Sequence, residues 1–191
     1  RHQVMQRVVI TGMGIYSCLG IGLDAVRDSL YAGKSGIVFD AVRKEMGYRS
    51  ALVAALEEPD LKKDLSRSQR TFMPGEAKYA YVATVEALKN AGISQDYIDA
   101  HEVGLLYGND STAEATYKTV ASIVEAKSTS AAGSGGIFQS MNSTVTMNLG
   151  CIFHLKGINL TISGACASGS HAIGLGTLLI RNGLQDMIVC G

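Results

Sequence analysis

Asn159-Leu160-Thr161-Ile162-Ser163-Gly164-Ala165-Cys166-Ala167-Ser168-Gly169-Ser170-His171 is the stretch whose reading decides the fold. Its first half is a short apolar run that does not alternate with polar residues, which predicts a strand covered on both faces. Its second half opens a helix that starts near Cys166 and runs to Asn182, with Gly183 as the residue that stops it. Only one turn of small residues separates strand from helix. Cys166 therefore falls at a helix N-terminus, beside backbone N–H groups without helical partners and at the positive end of the helix dipole. A sulfur nucleophile is activated in such surroundings, and the same N–H groups can hold the oxyanion that develops on an attacked carbonyl. The competing reading is a small residue placed for tight packing.

The helix carries a second signal. Eight of the 12 residues from Ala165 to Gly176 are Gly, Ala or Ser. Glycines at 169, 174 and 176 each cost about 0.8–1 kcal/mol in a helix interior. Such a helix is expected to be central, packed closely by backbone on all sides. His171 follows Cys166 by five positions, about 140° around the helix. It points away from the thiol and is expected to be buried and hydrogen-bonded rather than to act as a base. His101 and His154 lie outside any motif.

Working outward, Val8–Gly12, Val103–Gly108 and Met187–Cys190 are further apolar runs of the strand type. Helical patterns lie between them, at Asp24–Tyr31, Phe72–Asn90, Thr112–Glu125 and Ser143–Phe153. Strands alternating with helices predict an α/β fold with a mainly parallel sheet. Residues 34–66 and 128–137 are the irregular stretches, the second rich in Ser, Gly and Ala and read as a mobile loop. Residues 1–4 precede Met5 and read as a tag or upstream remnant.

Composition removes several function classes. Lys+Arg and Asp+Glu both number 17, so charge offers no case for nucleic acid or an anionic membrane as partner. No apolar run reaches the roughly 18 residues of a membrane span. No charged-then-apolar leader opens the chain, so a cytoplasmic location and reduced thiols are expected. The four cysteines (18, 151, 166 and 190) fit neither a zinc pattern nor a redox pair. Gly12-Met13-Gly14-Ile15-Tyr16-Ser17 follows the first strand but lacks the third glycine of a dinucleotide fingerprint. Gly33-Lys34-Ser35 lacks the upstream glycine of a phosphate-binding loop. No cofactor and no metal is expected.

Several segments together resemble one family. Val8-Val9-Ile10-Thr11-Gly12-Met13-Gly14 resembles the opening strand and turn of the β-ketoacyl-acyl-carrier-protein synthases, condensing enzymes of the thiolase superfamily. Phe72-Met73 with Lys78-Tyr79-Ala80 resembles their long second helix. Met141-Asn142-Ser143-Thr144-Val145 through Gly157-Ile158-Asn159 resembles the approach to their active site. Ser163-Gly164-Ala165-Cys166-Ala167-Ser168-Gly169 resembles their nucleophile motif, and Asp186–Gly191 the strand after it. The resemblance covers residues 5–191 and is similar to the N-terminal half of such an enzyme.

That resemblance implies a thiolase-like half-domain, βαβαβαβ, with an unpaired strand edge and one uncovered helix face. It implies that Cys166 takes an acyl group from acyl carrier protein and that malonyl carrier protein then condenses with it, giving a 3-oxoacyl product for fatty acid elongation. The family's two histidines, its lysine and its second oxyanion donor belong to the C-terminal half, so this chain alone is expected to be inactive. Ser111 and Met141 fall where the family shapes its acyl pocket, and Arg67 and Arg70 where it meets the acidic carrier protein. Residues 138–165 resemble its dimer interface, which implies a homodimer. Cys18 stands where the family usually has proline, so no role is implied for it. The alternative is a non-catalytic partner subunit of the chain-length type, although those usually lack the cysteine.

Overall fold

The computed structural model describes residues 5–191; the expectation for residues 1–4 lies outside them. The sequence alternation becomes, in chain order, a β1–β2 hairpin (Tyr16–Ser17, Gly20–Ile21), helix α1 (Leu23–Tyr31), and strand β3 (Val38–Phe39) paired across helix α2 (Ala41–Glu45) with β4 (Leu52–Val53). Helices α3 (Arg67–Thr71), α4 (Gly75–Ala91) and α5 (Gln95–Ala100) lead into strand β5 (Val103–Gly108). Helices α6 (Ala113–Ala126), α7 (Gly136–Ser140) and α8 (Thr144–Phe153) precede strand β6 (Asn159–Ile162), and helix α9 (Ser168–Arg181) precedes strand β7 (Met187–Cys190).

β5 is the centre of a three-stranded parallel sheet ordered β6-β5-β7. A central parallel strand must be apolar on both faces, and Val103, Gly104, Leu105 and Leu106 are all buried. Val103 and Leu105 join one core with Met73, Ala77, Ile98, Val145 and Leu149, drawn from the chain before and within α4, α5 and α8. Leu106 turns the other way, towards Gly176 of α9. The helix stops read from glycine hold: Gly92 ends α4 at φ 70° and Gly183 follows α9 at φ 72°, conformations that glycine adopts without strain.

Four expectations are corrected. Val8–Gly12 is not a strand of the sheet. The run packs its backbone against α4 rather than along the free edge of β6 or β7: an added Cβ at Gly12 would sit 2.4 Å from the Ala87 carbonyl oxygen. Its Val9 and Ile10 are 59% and 76% exposed. The long helix starts at Gly75 rather than Phe72, because Pro74 has no N–H to continue the turn from α3 and takes the cap position instead. Residues 128–137 are structured: Thr129–Ala132 form a 3-10 turn and Gly136 opens α7, with Thr119 of α6 close to Gly136. Helix α9 is not enclosed on all sides. Its buried residues, Ser168, Ala172 and Gly176, are spaced four apart and form one stripe against the sheet, while Ile173 and Leu178 are exposed. The uncovered helix face that the resemblance implies is therefore present, and β6 and β7 each have one edge unpaired among the described residues.

The small residues of α9 let it approach the sheet closely. A Cβ on Gly108, the last residue of β5, would lie 2.5 Å from the Ser168 carbonyl carbon and 2.6 Å from the Gly169 nitrogen. Both obstacles are backbone and cannot swing aside. Gly108→Ala is expected to push the first turn of α9 off the sheet and to lower stability by about 1–3 kcal/mol, the cost of overpacking a close-packed contact. Urea unfolding measures the change.

Candidate active site

Strand β6 ends at Ile162, and a 3-10 turn, Ala165–Ala167, joins it to α9. Cys166 is the middle residue of that turn and is exposed. It thus stands just before the α-helix proper, not within its first α-helical turn. Ala165, immediately before it, has φ 49°. A residue with a Cβ in that left-handed region costs about 1–2 kcal/mol, so neighbouring bonds must hold it there.

Those bonds come from two sides. The Ser168 hydroxyl donates to the Ala165 carbonyl at 2.7 Å and accepts from the Gly164 N–H at 2.8 Å. Asp110, two residues beyond β5, accepts from the Ala165 N–H at 3.1 Å and from the Ser163 hydroxyl on the same carboxylate oxygen. The Ala167 N–H donates to the Gly164 carbonyl at 3.0 Å. The amides of Gly164, Ala165 and Ala167 are therefore engaged within the turn. Among the described residues the Cys166 N–H has no acceptor.

The Ser163 hydroxyl, and after it the Ala165 amide, hold the Asp110 carboxyl below its ordinary value. A lowered carboxyl stabilises the fold above the ordinary carboxylate range and loses that contribution as pH falls through the lowered value. The carboxylate form, which makes both contacts, is thus the form present near neutrality.

Asp110 also lines an open cavity of about 630 Å³ together with Ser111, Thr116, Tyr117, Ser140 and Asn142. Ser111, which the resemblance puts at the acyl pocket, lies in this wall. Met141 is exposed between Ser140 and Asn142, which line the cavity, because the chain turns extended at the end of α7. Arg67 and Arg70 border a second depression of about 360 Å³ with Lys62 and Lys78. Arg70 also donates from Nε to the Leu65 carbonyl at 3.3 Å, and Lys78 pairs with Glu58 at 2.7 Å.

His171 is exposed, not buried as expected, and its ring lies over Gly164, where an added Cβ would be 3.0 Å from Nδ1. No hydrogen bond joins it to Cys166 among the described residues. His101 and His154 are surface residues, bonded to the Tyr97 carbonyl and to Asp99 respectively. The remaining thiols differ in setting. Cys190 is half-buried under α9, donates to the Ala172 carbonyl at 3.5 Å, and is pushed up to about 11 by burial. Cys18 is half-buried and Cys151 is exposed on α8. Sequence reasoning missed Asp110 as a contact of the turn. Its only signal was position: a carboxylate just past a buried strand that ends beside the start of α9.

Comparison with known proteins places this geometry in a family. The family described as "Beta-ketoacyl synthase, N-terminal domain" matches residues 5–191. The 3-oxoacyl-[acyl-carrier-protein] synthase 1 of Haemophilus influenzae is 34% identical over 189 residues, 98% of this chain and 46% of that protein. The crystal structure of a β-ketoacyl synthase from Burkholderia phymatum superposes with a TM-score of 0.83 at 31% identity, covering 95% of this chain and 45% of that one. A type II polyketide ketosynthase solved with its acyl-carrier protein shares the fold, with a TM-score of 0.79 at 21% identity over 98% of this chain and 45% of that one. The chain spans about half the length of the curated relatives it matches. Its thiolase-like α/β fold and its full-length match to that domain show that the chain belongs to the β-ketoacyl synthase family, in its N-terminal domain.

Proposed function

We propose that this chain carries the acyl-accepting half of a 3-oxoacyl-acyl-carrier-protein synthase, with Cys166 as nucleophile. The observation that carries this reading is an exposed thiol on a pinned turn whose own amide has no acceptor among the described residues. The Cys166 sulfur attacks the carbonyl carbon of an acyl thioester on acyl carrier protein. The new S–C bond forms as the carrier's S–C bond breaks, and the carrier leaves as a thiol with the proton. In the condensation that follows, malonyl carrier protein loses carbon dioxide. The released electron pair makes the carbon–carbon bond to the acyl carbonyl, and Cys166 departs as thiolate. The groups that polarise the malonyl thioester are those the family resemblance assigns to its C-terminal half, so acyl transfer is the step this chain's residues serve.

The cavity beside Asp110, with Ser111 in its wall, is the proposed entrance for the acyl chain. Met141, between the lining residues Ser140 and Asn142, is proposed as a neighbour of that entrance. The cationic depression with Arg67 and Arg70 is the proposed landing place of the acidic carrier protein, where charge raises the encounter rate. The unpaired edge of β6, with Leu160 46% exposed, supports a homodimer through residues 138–165. No helix of the described residues is long and apolar enough to cross a membrane. Action on a carrier-borne substrate in the cytoplasm is the proposed setting.

Incubation with the octanoyl thioester of acyl carrier protein should add one octanoyl group to the protein's intact mass, on the peptide that contains Cys166. Cys166→Ala should abolish the gain. Acylation that persists in Cys166→Ala, or that maps to another thiol, refutes the assignment. Arg67→Glu should slow the same transfer by about tenfold at low ionic strength and by much less in high salt, because the attraction is screened beyond about 10 Å at 0.1 M. Stopped-flow mixing at two salt concentrations measures both rates.

A further inference from the structure

We propose that Asp110 is a positioning residue for Cys166. The proposal rests on the reading of Cys166 as nucleophile and adds a residue that holds the nucleophile in place.

The turn has an internal latch and an external one. Ser168 is the internal latch, tying Gly164 and Ala165 to the start of α9. It cannot by itself fix the turn relative to the sheet. Asp110 does that, because it belongs to the segment leaving β5. That segment is anchored on several sides: the Gly108 N–H donates to the Gly191 carbonyl at 2.7 Å, the Asn109 N–H to the Ile162 carbonyl at 3.0 Å, and the Asn109 side chain to the Asn142 carbonyl at 2.9 Å. From this base one carboxylate oxygen takes hydrogen bonds from both Ser163 and Ala165. Ala165 is the strained residue, at φ 49°, and its N–H is the group whose direction changes if φ relaxes. Released, Ala165 would return to the common right-handed or extended regions and swing Cys166, the next residue, off the helix end. Asp110 therefore acts through geometry: it holds a backbone conformation that aims the thiol and leaves the Cys166 N–H unengaged.

The carboxylate is also a negative charge near a sulfur nucleophile, and charge must be separated from geometry in any test. Asp110→Asn removes the charge and keeps an acceptor oxygen of the same reach. Asp110→Ala removes both. The decisive comparison is the rate of iodoacetamide alkylation of Cys166 in these two variants, referenced to glutathione in the same tube and mapped by peptide mass. Asp110→Ala is expected to react at least about fivefold more slowly than Asp110→Asn, the order set by one strained residue relaxing. Cys190 should stay unlabelled in both, showing that the fold is intact. Equal rates in the two variants overturn the proposal. If Asp110→Ala exposes Cys190, Asp110→Ser replaces it in the comparison. Its hydroxyl is too short to reach both donors, and the same fivefold deficit or its absence decides. Wild-type protein separates this proposal from the reading beneath it. Cys166 no faster than glutathione in the wild type refutes the nucleophile itself, whereas a fast wild-type thiol with equal variant rates refutes only the role of Asp110.

Discussion

The close approach of the end of β5 to the start of α9 is the constraint on which the rest of the site depends. Gly108 leaves no room for a side chain between the strand and the Ser168–Gly169 backbone. Everything that follows in both directions inherits that contact. Forward from Gly108 come Asn109 and Asp110, which reach β6 and the turn that precedes the helix. Backward from Ser168 come Ala167, Cys166 and Ala165, held in a 3-10 turn by the Ser168 hydroxyl. A parallel sheet delivers this arrangement because the C-terminal ends of neighbouring strands fall on the same side, where ligand sites of such sheets gather.

The chemistry follows from which groups the turn uses and which it leaves over. Three of its amides donate within the protein, and the fourth, on Cys166, has no acceptor among the described residues. A thiol beside its own free amide, at the start of a helix, can attack a carbonyl and hold the resulting oxyanion in one place. Cys190 shows the contrast within one chain: half-buried and donating to the Ala172 carbonyl, its thiol is raised to about 11 and stays protonated. Cys166, by contrast, is exposed and has no such partner among the described residues.

Much of this was legible in the sequence, for physical reasons that can be named. Val103–Gly108, Asn159–Ile162 and Met187–Cys190 read as strands because their apolar runs do not alternate, but only β5 is buried as expected: β6 begins exposed, with Leu160 at 46%, and β7 is part-buried. Gly92 and Gly183 read as helix stops because their positions need positive φ. Cys166 stood out because a strand ran into a helix through small residues alone. Other features were hidden. Val8–Gly12 has the composition of a strand, but pairing is a tertiary property, and the run packs its backbone on α4 instead of joining a free sheet edge. The enclosure of α9 was overestimated because small residues report a close approach on one stripe and say nothing of the other faces. The role of Asp110 needed a contact across 55 positions, between the segment after β5 and the turn after β6, and no local pattern encodes that.

Amide hydrogen exchange at the turn, followed residue by residue by NMR, tests the central claim most directly. A turn pinned by Asp110 and Ser168 predicts slow exchange at Gly164, Ala165 and Ala167, and fast exchange at Cys166 between them. Exchange of Ala165 as fast as that of Cys166 would contradict it, since the strained residue would then have no partner holding it and the thiol no fixed direction.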